Sequence, residues 1–386
     1  MPIYLDNAAT TSLAPEVLDA MRPFFEEEFG NASSVYRLGS RARVALEGAR
    51  EVIARAIHAE PREIVFTSGG TEANNAAIKG AIFQAFREKK SFAQIGIVTS
   101  PTEHHAVLEP MEWLSKLGTV VSFASVDEVG RVSPEEIGKL VTTDTVLVSA
   151  MLVNNETGTI NPIPEIARAV TQNSKALLHT DAVQALGKMP IDVRKLGVDL
   201  LSLSAHKIHG PKGIGALYIK SGTPWEPLVH GGAQERNRRG GTEPVALAVG
   251  FAEAVNLFAK QVETMEGAQR LRTYLLSKLS EIPEVILNSA SDDTSSDSII
   301  SFSFIPEVLS RLDADALIIR FDLEGIAVSN GSACTSGSQQ PSHVLLAMGK
   351  SKEVARKSVR VSFSRYNTMA DIDRLIDAVR KILNSF

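Results

Sequence analysis

The chain has 386 residues, of which 44% are hydrophobic and 22% are charged. Forty basic and 45 acidic side chains leave a formal charge of −5 without a long run of one sign, so the sequence predicts neither a nucleic-acid partner nor a membrane partner. The length predicts two domains, and a single cysteine excludes both an internal disulfide and a multi-thiolate zinc site.

The amino-terminal residues contain no basic stretch and no long apolar segment. We therefore expect neither a signal peptide nor a transit peptide, and we expect a cytoplasmic protein. The longest apolar runs, such as Thr145–Val153, fall far short of the roughly 18 residues that a transmembrane helix needs.

Between about residues 60 and 220, short apolar runs alternate with amphipathic stretches. This pattern is typical of successive βα units around a mainly parallel sheet. The predicted strands are Ile64–Thr67, Ile95–Thr99, Val120–Ala124, Val146–Val153, Ala176–Thr180, Leu200–Ser204 and Gly215–Ile219. In such sheets ligands bind beyond the carboxyl ends of the strands, so polar residues that follow these runs are candidates for one shared site.

After Glu243 the pattern changes to helical periodicity that continues to about residue 280. The polar loop Asn288–Asp297 follows, and then predicted strands at Ile299–Phe304, Ile326–Ser329 and Val359–Ser364, and a helix at Ala370–Leu383. We predict a large domain over residues 15–255 and a smaller α+β domain made of residues 1–14 and 256–386.

Lys207 and Asp181 each lie at or just after the end of a predicted strand, 26 residues apart. A lysine amine can hold the aldehyde of pyridoxal phosphate (PLP) as a Schiff base, and a nearby carboxylate can keep the pyridine nitrogen protonated. Each residue alone has a simpler explanation, as a surface lysine or a helix cap. Together, with Gln184 close behind Asp181, they predict a PLP site.

A phosphate site is predicted at Thr67–Asn75, where a strand is followed by two glycines and a helical pattern. Backbone amides at Gly70 and the Thr71 hydroxyl could bind a phosphate there, although a capped turn explains the same residues. Ser204 and His206 would supply further donors.

His104 follows another predicted strand and could stack on a planar ring or serve as an acid or base. No complete ligand set accompanies the histidines, so we predict no intrinsic metal site. Arg360 interrupts an apolar strand and could bind a substrate carboxylate, or it could lie on an exposed strand face. Cys334 lies in a Gly/Ser-rich loop, which favours a reactive thiol over an inert buried one.

These residues occur in segments that closely resemble the cysteine desulfurases, PLP enzymes of the class V aminotransferase group. The resemblance covers nearly the whole chain. The matching segments, in order, are Tyr4–Thr11, Phe66–Glu72, Thr102–His104, Asn154–Gly158, His179–Gln184, Ser204–Lys207, Arg239–Thr242 and Ser329–Ser336. The Cys334 loop is similar to that of the long-loop subgroup, which includes the nitrogenase-associated and housekeeping enzymes.

The resemblance implies the aspartate aminotransferase-like fold of PLP-dependent transferases, with a mainly parallel seven-stranded sheet. It also implies a role for each matched residue. Lys207 would hold PLP, Asp181 would contact the pyridine nitrogen, Gln184 and Asn155 would contact the ring hydroxyl oxygen, and His104 would stack on the ring face. The phosphate would be held by Gly70, Thr71, Ser204 and His206, and Thr242 would reach it from the neighbouring subunit of a homodimer. Arg360, together with Asn155, would bind the substrate carboxylate.

The implied reaction converts L-cysteine to L-alanine and leaves the sulfur on Cys334 as a persulfide, with Lys207 and His104 moving protons. The sulfur would pass to an iron–sulfur scaffold or another acceptor protein, and Cys334 is a candidate for a transient ligand of an iron–sulfur cluster. A selenocysteine lyase or another PLP-dependent lyase or transaminase is the main alternative. A non-catalytic binding platform is a third, which the retained Lys207, Asp181, Arg360 and Cys334 disfavour.

Overall fold

The computed structural model describes residues 2–259, 262–330 and 340–385. Cys334, the predicted nucleophile, lies outside the described residues. The described strands are β1 Ile3–Tyr4, β2 Ile64–Thr67, β3 Gly96–Thr99, β4 Val120–Phe123, β5 Thr145–Ser149, β6 Leu177–Asp181, β7 Leu200–Ser204, β8 Gly215–Ile219, β9 Val285–Leu287, β10 Ile299–Phe304, β11 Ile326–Ala327 and β12 Val359–Ser362.

Helices lie between most of these strands. They are α1 Pro15–Met21, α2 Pro23–Glu26, α3 Arg37–Ala56, α4 Gly70–Lys89, α5 His105–Lys116, α6 Pro134–Leu140, α7 Ile163–Asn173, α8 Val193–Leu196, α9 Gln234–Asn237, α10 Val245–Ala259, α11 Val262–Ser280, α12 Pro306–Leu309, α13 Ala314–Leu323, α14 His343–Ala347, α15 Lys352–Arg356 and α16 Met369–Leu383.

Seven strands form the central sheet in the order β2-β8-β7-β6-β5-β3-β4. Only β8 runs antiparallel to its two neighbours, β2 and β7, so the predicted seven-stranded, mainly parallel sheet is confirmed. Because β2, β3, β5, β6 and β7 share one direction, the loops that follow them meet at one edge.

The two faces of this sheet belong to different hydrophobic clusters. Along β7, Leu200 joins one cluster and Leu201 joins the other, as alternation along a strand requires. Helix α4 covers the first face, and α3 and α10 pack together in the cluster on the second. Burial on both faces explains why these strands are continuous apolar runs in the sequence.

A third cluster contains Leu5 and buried residues between positions 271 and 382. It lies around a three-stranded antiparallel sheet in the order β12-β10-β9 and the parallel pair β1-β11, with α11 and α16 packed together. The predicted helical region after Glu243 and the final helix are confirmed as α10, α11 and α16.

The predicted strand Val146–Val153 was too long, since β5 ends at Ser149. Leu152 and Val153 are as buried as the strand residues, but they continue into a turn in which the Asn154 side chain accepts hydrogen bonds from the backbone N–H groups of Glu156 and Thr157. The apolar run therefore predicted burial correctly here, but it did not predict where the strand ends.

Within the described parts of the chain, no helix combines the length and apolarity that crossing a bilayer requires. Across the same residues, no three His, Cys, Asp or Glu side chains are placed to hold a metal ion.

Candidate active site

A cavity of about 350 Å³ lies at the edge of the central sheet where the parallel strands end. Its walls come from the segments that follow β2, β3, β5, β6 and β7, and also from β12. They include Ala8, Ala9, Gly70, Thr71, Asn74, His104, Met151, Asn155, Asp181, Gln184, Ser204, His206, Lys207 and Arg360. Residues distant in sequence thus converge on one crevice, as strand-end placement predicts.

Asp181 is the last residue of β6 and is 5% exposed. Its Oδ2 accepts a hydrogen bond from Asn74 Nδ2 at 2.6 Å, and its Oδ1 accepts one from the backbone N–H of Val183 at 2.9 Å. Asn74 lies one turn into α4, on the side of the helix that faces the cavity. The two donors hold the carboxylate in one orientation, with a spare lone pair on each oxygen.

Lys207 ends a single 3₁₀ turn that follows β7. Its Nζ donates to the backbone carbonyls of Ala8 at 2.6 Å and Ala9 at 2.7 Å. The amine is therefore held at the cavity wall by the amino-terminal segment of the same chain.

That segment is itself fixed at both of its ends. Asn7 Nδ2 donates to the carbonyl of Ser362 in β12 at 2.8 Å, and the Ala8 N–H donates to the Ser362 hydroxyl at 2.8 Å. The Thr11 hydroxyl donates to the His206 carbonyl at 3.0 Å and accepts from the His209 N–H at 2.7 Å. The segment thus joins β12 to the Lys207 turn.

The amino terminus of α4 forms another part of the wall. Gly69 adopts φ of +153°, brings no capping side chain and leaves the 20-residue helix open toward the cavity. A β-carbon on Gly70 would lie 2.8 Å from Val183 Cγ2, so glycine lets the helix start this close to the turn that follows β6. The helix dipole and first-turn amides favour an anion at this end.

Two more polar groups face the same place. Ser204 is 1% exposed, and its hydroxyl has no hydrogen-bond partner among the described residues. His206 Nδ1 lies 3.1 Å from the Thr10 hydroxyl, and burial, followed by the nearby Lys207, lowers the pKa of His206 to about 4. A buried, unsatisfied hydroxyl beside a helix amino terminus fits a phosphate oxygen.

His104 precedes α5 and caps it, because its Nδ1 accepts a hydrogen bond from the Ala106 N–H at 3.0 Å. Burial lowers the pKa of this imidazole, Asp181 opposes the shift, and Lys207 adds to it. The ring is therefore neutral at physiological pH, and its proton is on Nε2 because Nδ1 is an acceptor.

Arg360, in β12, is 3% exposed. Its Nη2 lies 2.8 Å from Asp6 Oδ1, and its Nη1 donates to the Asn155 carbonyl at 3.0 Å. Each of these nitrogens carries a second hydrogen, so the guanidinium can still bind a carboxylate from the cavity. The alternative prediction, that Arg360 lies on an exposed strand face, is wrong.

Glu103, next to His104, is fully buried. One carboxyl oxygen accepts from the Met151 N–H at 2.5 Å, and the other has no partner among the described residues. Burial raises the pKa of Glu103 to about 8; the Met151 hydrogen bond opposes the shift and Asp181 adds to it. Glu103 is therefore mostly protonated at neutral pH.

This raised pKa predicts a pH-dependent loss of stability. The unfolded carboxyl titrates near 4.5, so the contribution of the neutral Glu103 is fully present below pH 4.5 and is lost as the pH rises toward 8. We expect Glu103→Gln to remove that loss, so that the melting temperature of the variant minus that of the wild type is about 5 °C larger at pH 8.5 than at pH 5. Calorimetry at both pH values measures it.

The matched control is Glu135→Gln, because the Glu135 side chain is 79% exposed. We expect the melting temperature of the control to follow the wild type at both pH values. If Glu103→Gln differs from the wild type by the same amount at pH 5 and pH 8.5, the raised pKa is wrong.

Thr242 is exposed and does not line the cavity. It follows a segment that begins with three consecutive left-handed residues, Glu235, Arg236 and Asn237, with φ between 45° and 63°. Glu235 fixes this turn, since its carboxylate binds the buried Arg50 through Nη1 at 2.6 Å and Nη2 at 2.9 Å. The segment therefore has a defined course along the surface.

Of the predicted site residues that the structure describes, only Thr242 lies apart from the cavity. Sequence reasoning missed Ala8, Ala9 and Asn74. Asn74 could have been found, because it lies four residues after Gly70 and so on the same face of a helix. The two alanines could not have been found, because they contribute backbone carbonyls, which every residue type has.

The fold and the cavity define an enzyme site that brings together the open amino terminus of α4, a lysine and a buried carboxylate. A family model described as aminotransferase class-V matches residues 3–375, and the chain belongs to this family and resembles its cysteine desulfurase members. Enzymes of this class depend on PLP.

Three relatives illustrate the similarity. The cysteine desulfurase IscS of Dictyoglomus turgidum is 45% identical over 99% of this chain and 94% of its own. A solved structure described as a NifS-like protein superposes with a TM-score of 0.90 at 38% identity and covers both chains fully. A structure of SspA in complex with cysteine has a TM-score of 0.81 at 35% identity over 95% of this chain and all of its own.

Proposed function

We propose that this protein converts L-cysteine to L-alanine and transfers the sulfur to Cys334 as a persulfide. The observation that carries the proposal is the convergence of Lys207, Asp181 and Arg360 on one cavity in a chain whose relatives are cysteine desulfurases. The related structure with cysteine supports this choice of substrate.

The residues present fit PLP. The unsatisfied Ser204 hydroxyl and the open start of α4 suit its phosphate, the Asp181 carboxylate suits a protonated ring nitrogen, and Lys207 suits its aldehyde. When bound, PLP supplies a ring that accepts the electrons released from the substrate α-carbon.

Residues of the chain would bind the substrate and transfer protons. Arg360 binds the substrate carboxylate, and its fixed contacts with Asp6 and Asn155 hold the guanidinium in place. Lys207 Nζ accepts a proton from the substrate and later returns one, with the Ala8 and Ala9 carbonyls as its resting partners. The neutral His104 presents a proton on Nε2 and can exchange it with a bound substrate.

The sulfur step balances without another reactant. Cys334 Sγ, as a thiolate, attacks the substrate sulfur, a sulfur–sulfur bond forms, and the bond from sulfur to the substrate β-carbon breaks. The β-carbon gains a proton and is reduced to the methyl group of alanine, while the transferred sulfur is oxidised to the persulfide level. This requirement for a thiol distinguishes a desulfurase from a transaminase, which has no need of Cys334.

A homodimer, with Thr242 directed to the phosphate of the neighbouring subunit, belongs to the same proposal. Two features support it: Thr242 lies apart from the cavity of its own chain, and exposed apolar side chains are frequent in the region of α1–α3. These are Leu18, Phe25, Phe29, Val35, Tyr36 and Val44. Apolar surface of this kind often marks an interface between subunits.

An iron–sulfur scaffold or another sulfur-acceptor protein is the proposed recipient of the persulfide sulfur. The division into domains of residues 15–255 and residues 1–14 with 256–386 is also proposed, and the separate hydrophobic clusters support it. The cytoplasmic location stays a prediction of the sequence.

The test is alanine and sulfide release from L-cysteine by PLP-saturated protein in the presence of a reductant. Wild type should release both, and Cys334→Ser should lose at least about 100-fold of the rate while it keeps the visible absorption of bound PLP. Thiol titration of the unfolded proteins, with one cysteine in the wild type and none in the variant, verifies the substitution.

Equal rates in both proteins would contradict the role of Cys334 and favour another PLP-dependent lyase. Greater turnover with L-selenocysteine, independent of Cys334, would favour a selenocysteine lyase. A wild type that binds PLP and acts on neither amino acid would contradict the proposal and favour a different substrate or a non-catalytic binding role.

A further inference from the structure

Lys188 is a second lysine near the site to which the proposed function gives no role. It lies four residues after Gln184, in the turn that follows β6. The residue is half-buried, and desolvation is the main influence on its ammonium group, followed by the positive charges of Lys207 and Arg360. These influences lower the pKa of Lys188 to about 7. A cation is unfavourable in such a place unless a specific contact retains it.

The contact is with the side-chain amide of Gln184. Lys188 Nζ donates to Gln184 Oε1 at 2.7 Å, and Gln184 Nε2 donates to the Ala8 carbonyl at 2.8 Å. Gln184 is 3% exposed and lines the cavity. The amide is thus held on both sides, by a cation and by the carbonyl that also accepts from Lys207.

These partners determine which way the amide is turned. The ammonium form of Lys188 has donors only, the neutral form above its pKa of about 7 keeps two N–H donors, and a carbonyl has acceptors only. A flipped amide would place its oxygen against the Ala8 carbonyl and its NH₂ group against the ammonium form of Lys188, and both contacts would become repulsive. One Nε2 hydrogen binds Ala8, so the second is left as a donor for a group in the cavity.

The neighbourhood contains further charged groups. Asp297, Arg365 and His209 line a small second cavity together with Lys188 and Lys207. Burial raises the pKa of Asp297 and lowers that of His209. Any pH dependence assigned to Lys188 must therefore be separated from the titration of these groups. Of these groups, Lys188 is the one that contacts Gln184, so a test in which Gln184 is changed makes the separation.

We propose that Lys188 is a positioning residue that holds the Gln184 amide with its N–H toward the cavity, and so presents a donor to an acceptor oxygen on the bound cofactor ring. The inference rests on the proposed function, since the ligand is PLP. It deepens that function, because the amide of Gln184 alone could present either an acceptor or a donor. Lys188 acts together with the Ala8 carbonyl to remove this choice.

The experiment measures the pH midpoint of the change in visible absorption of the PLP-loaded protein. Lys188→Met should move the midpoint to higher pH by about one unit, because a ring oxygen that loses its donor is less stable as an anion. Lys188→Arg, which keeps a charged donor, should restore most of the wild-type midpoint. Lys195→Met is the matched control, because the Lys195 side chain is 85% exposed, and it should not move the midpoint.

The same substitution in the Gln184→Ala background separates positioning from charge. If Lys188 acts through Gln184, Lys188→Met should move the midpoint by less than about 0.3 units in that background. An equal shift in both backgrounds would show a direct effect of charge and overturn the proposal, as would no shift in the wild-type background. A wild type without a visible band after PLP addition would instead contradict the proposed function. Melting temperatures identify any variant that fails to fold.

Discussion

Lys207→Ala should lower the rate of alanine formation from L-cysteine by about 1000-fold or more. The side chain has two tasks, covalent attachment of the cofactor and proton transfer at the substrate, and alanine can do neither. Its contacts with the Ala8 and Ala9 carbonyls hold the amine at the cavity wall, where both proposed tasks would occur. Steady-state rates under PLP-saturating conditions measure the loss.

Lys195→Ala is the control for this substitution, because it removes an exposed lysine from α8. It should leave the rate within twofold of the wild type. A second readout is cofactor retention, since extensive dialysis should strip PLP from Lys207→Ala and not from the control. Activity of Lys207→Ala within tenfold of the wild type would exclude Lys207 as the cofactor lysine.

Asp181→Asn should lower the same rate by about 100- to 1000-fold, the range typical for the loss of one preorganised electrostatic contact. The substitution conserves the size of the side chain but removes the charge that would keep a ring nitrogen protonated. Because Asn74 and the Val183 N–H orient this carboxylate, the charge has one fixed position, and no other carboxylate lines the cavity among the described residues.

Asp199→Asn is the appropriate comparison, because Asp199 lies just before β7, at the opposite end of the central sheet. There it accepts from the Leu178 N–H and binds Lys220. We expect this variant to lose stability and to keep its turnover per folded molecule. An Asp181→Asn enzyme with wild-type turnover would rule out ring protonation by Asp181.

The sequence predicted most of the central sheet because its strands are buried on both faces. Leu200–Ser204 is buried at every position, and the apolar run and the strand coincide. Two short strands were missed, β1 with two residues and β9 with three, because their pairing depends on distant partners. Local pattern carries little information about contacts of that kind.

The site residues were likewise predictable only in part. Lys207, Asp181 and His104 could be found because strand ends in a parallel sheet meet at one edge, and the side chains carry recognisable chemistry. The partners that orient these side chains could not be found from the sequence. Asn74 and Lys188 have ordinary helical or turn contexts in the sequence, and only the tertiary contacts with Asp181 and Gln184 give them a role.

The amino-terminal segment has a consequence for biosynthesis. Asn7 binds Ser362 across 355 residues, and Lys207 binds Ala8 across 199 residues. The segment at Asn7 and Ala8 therefore has no partner in β12 until β12 has been synthesised, although the residues of the central sheet precede β12 and can assemble earlier. Nascent chains that stop short of β12 thus lack both the Arg360 side chain in the cavity wall and the Ser362 contacts that hold Asn7 and Ala8.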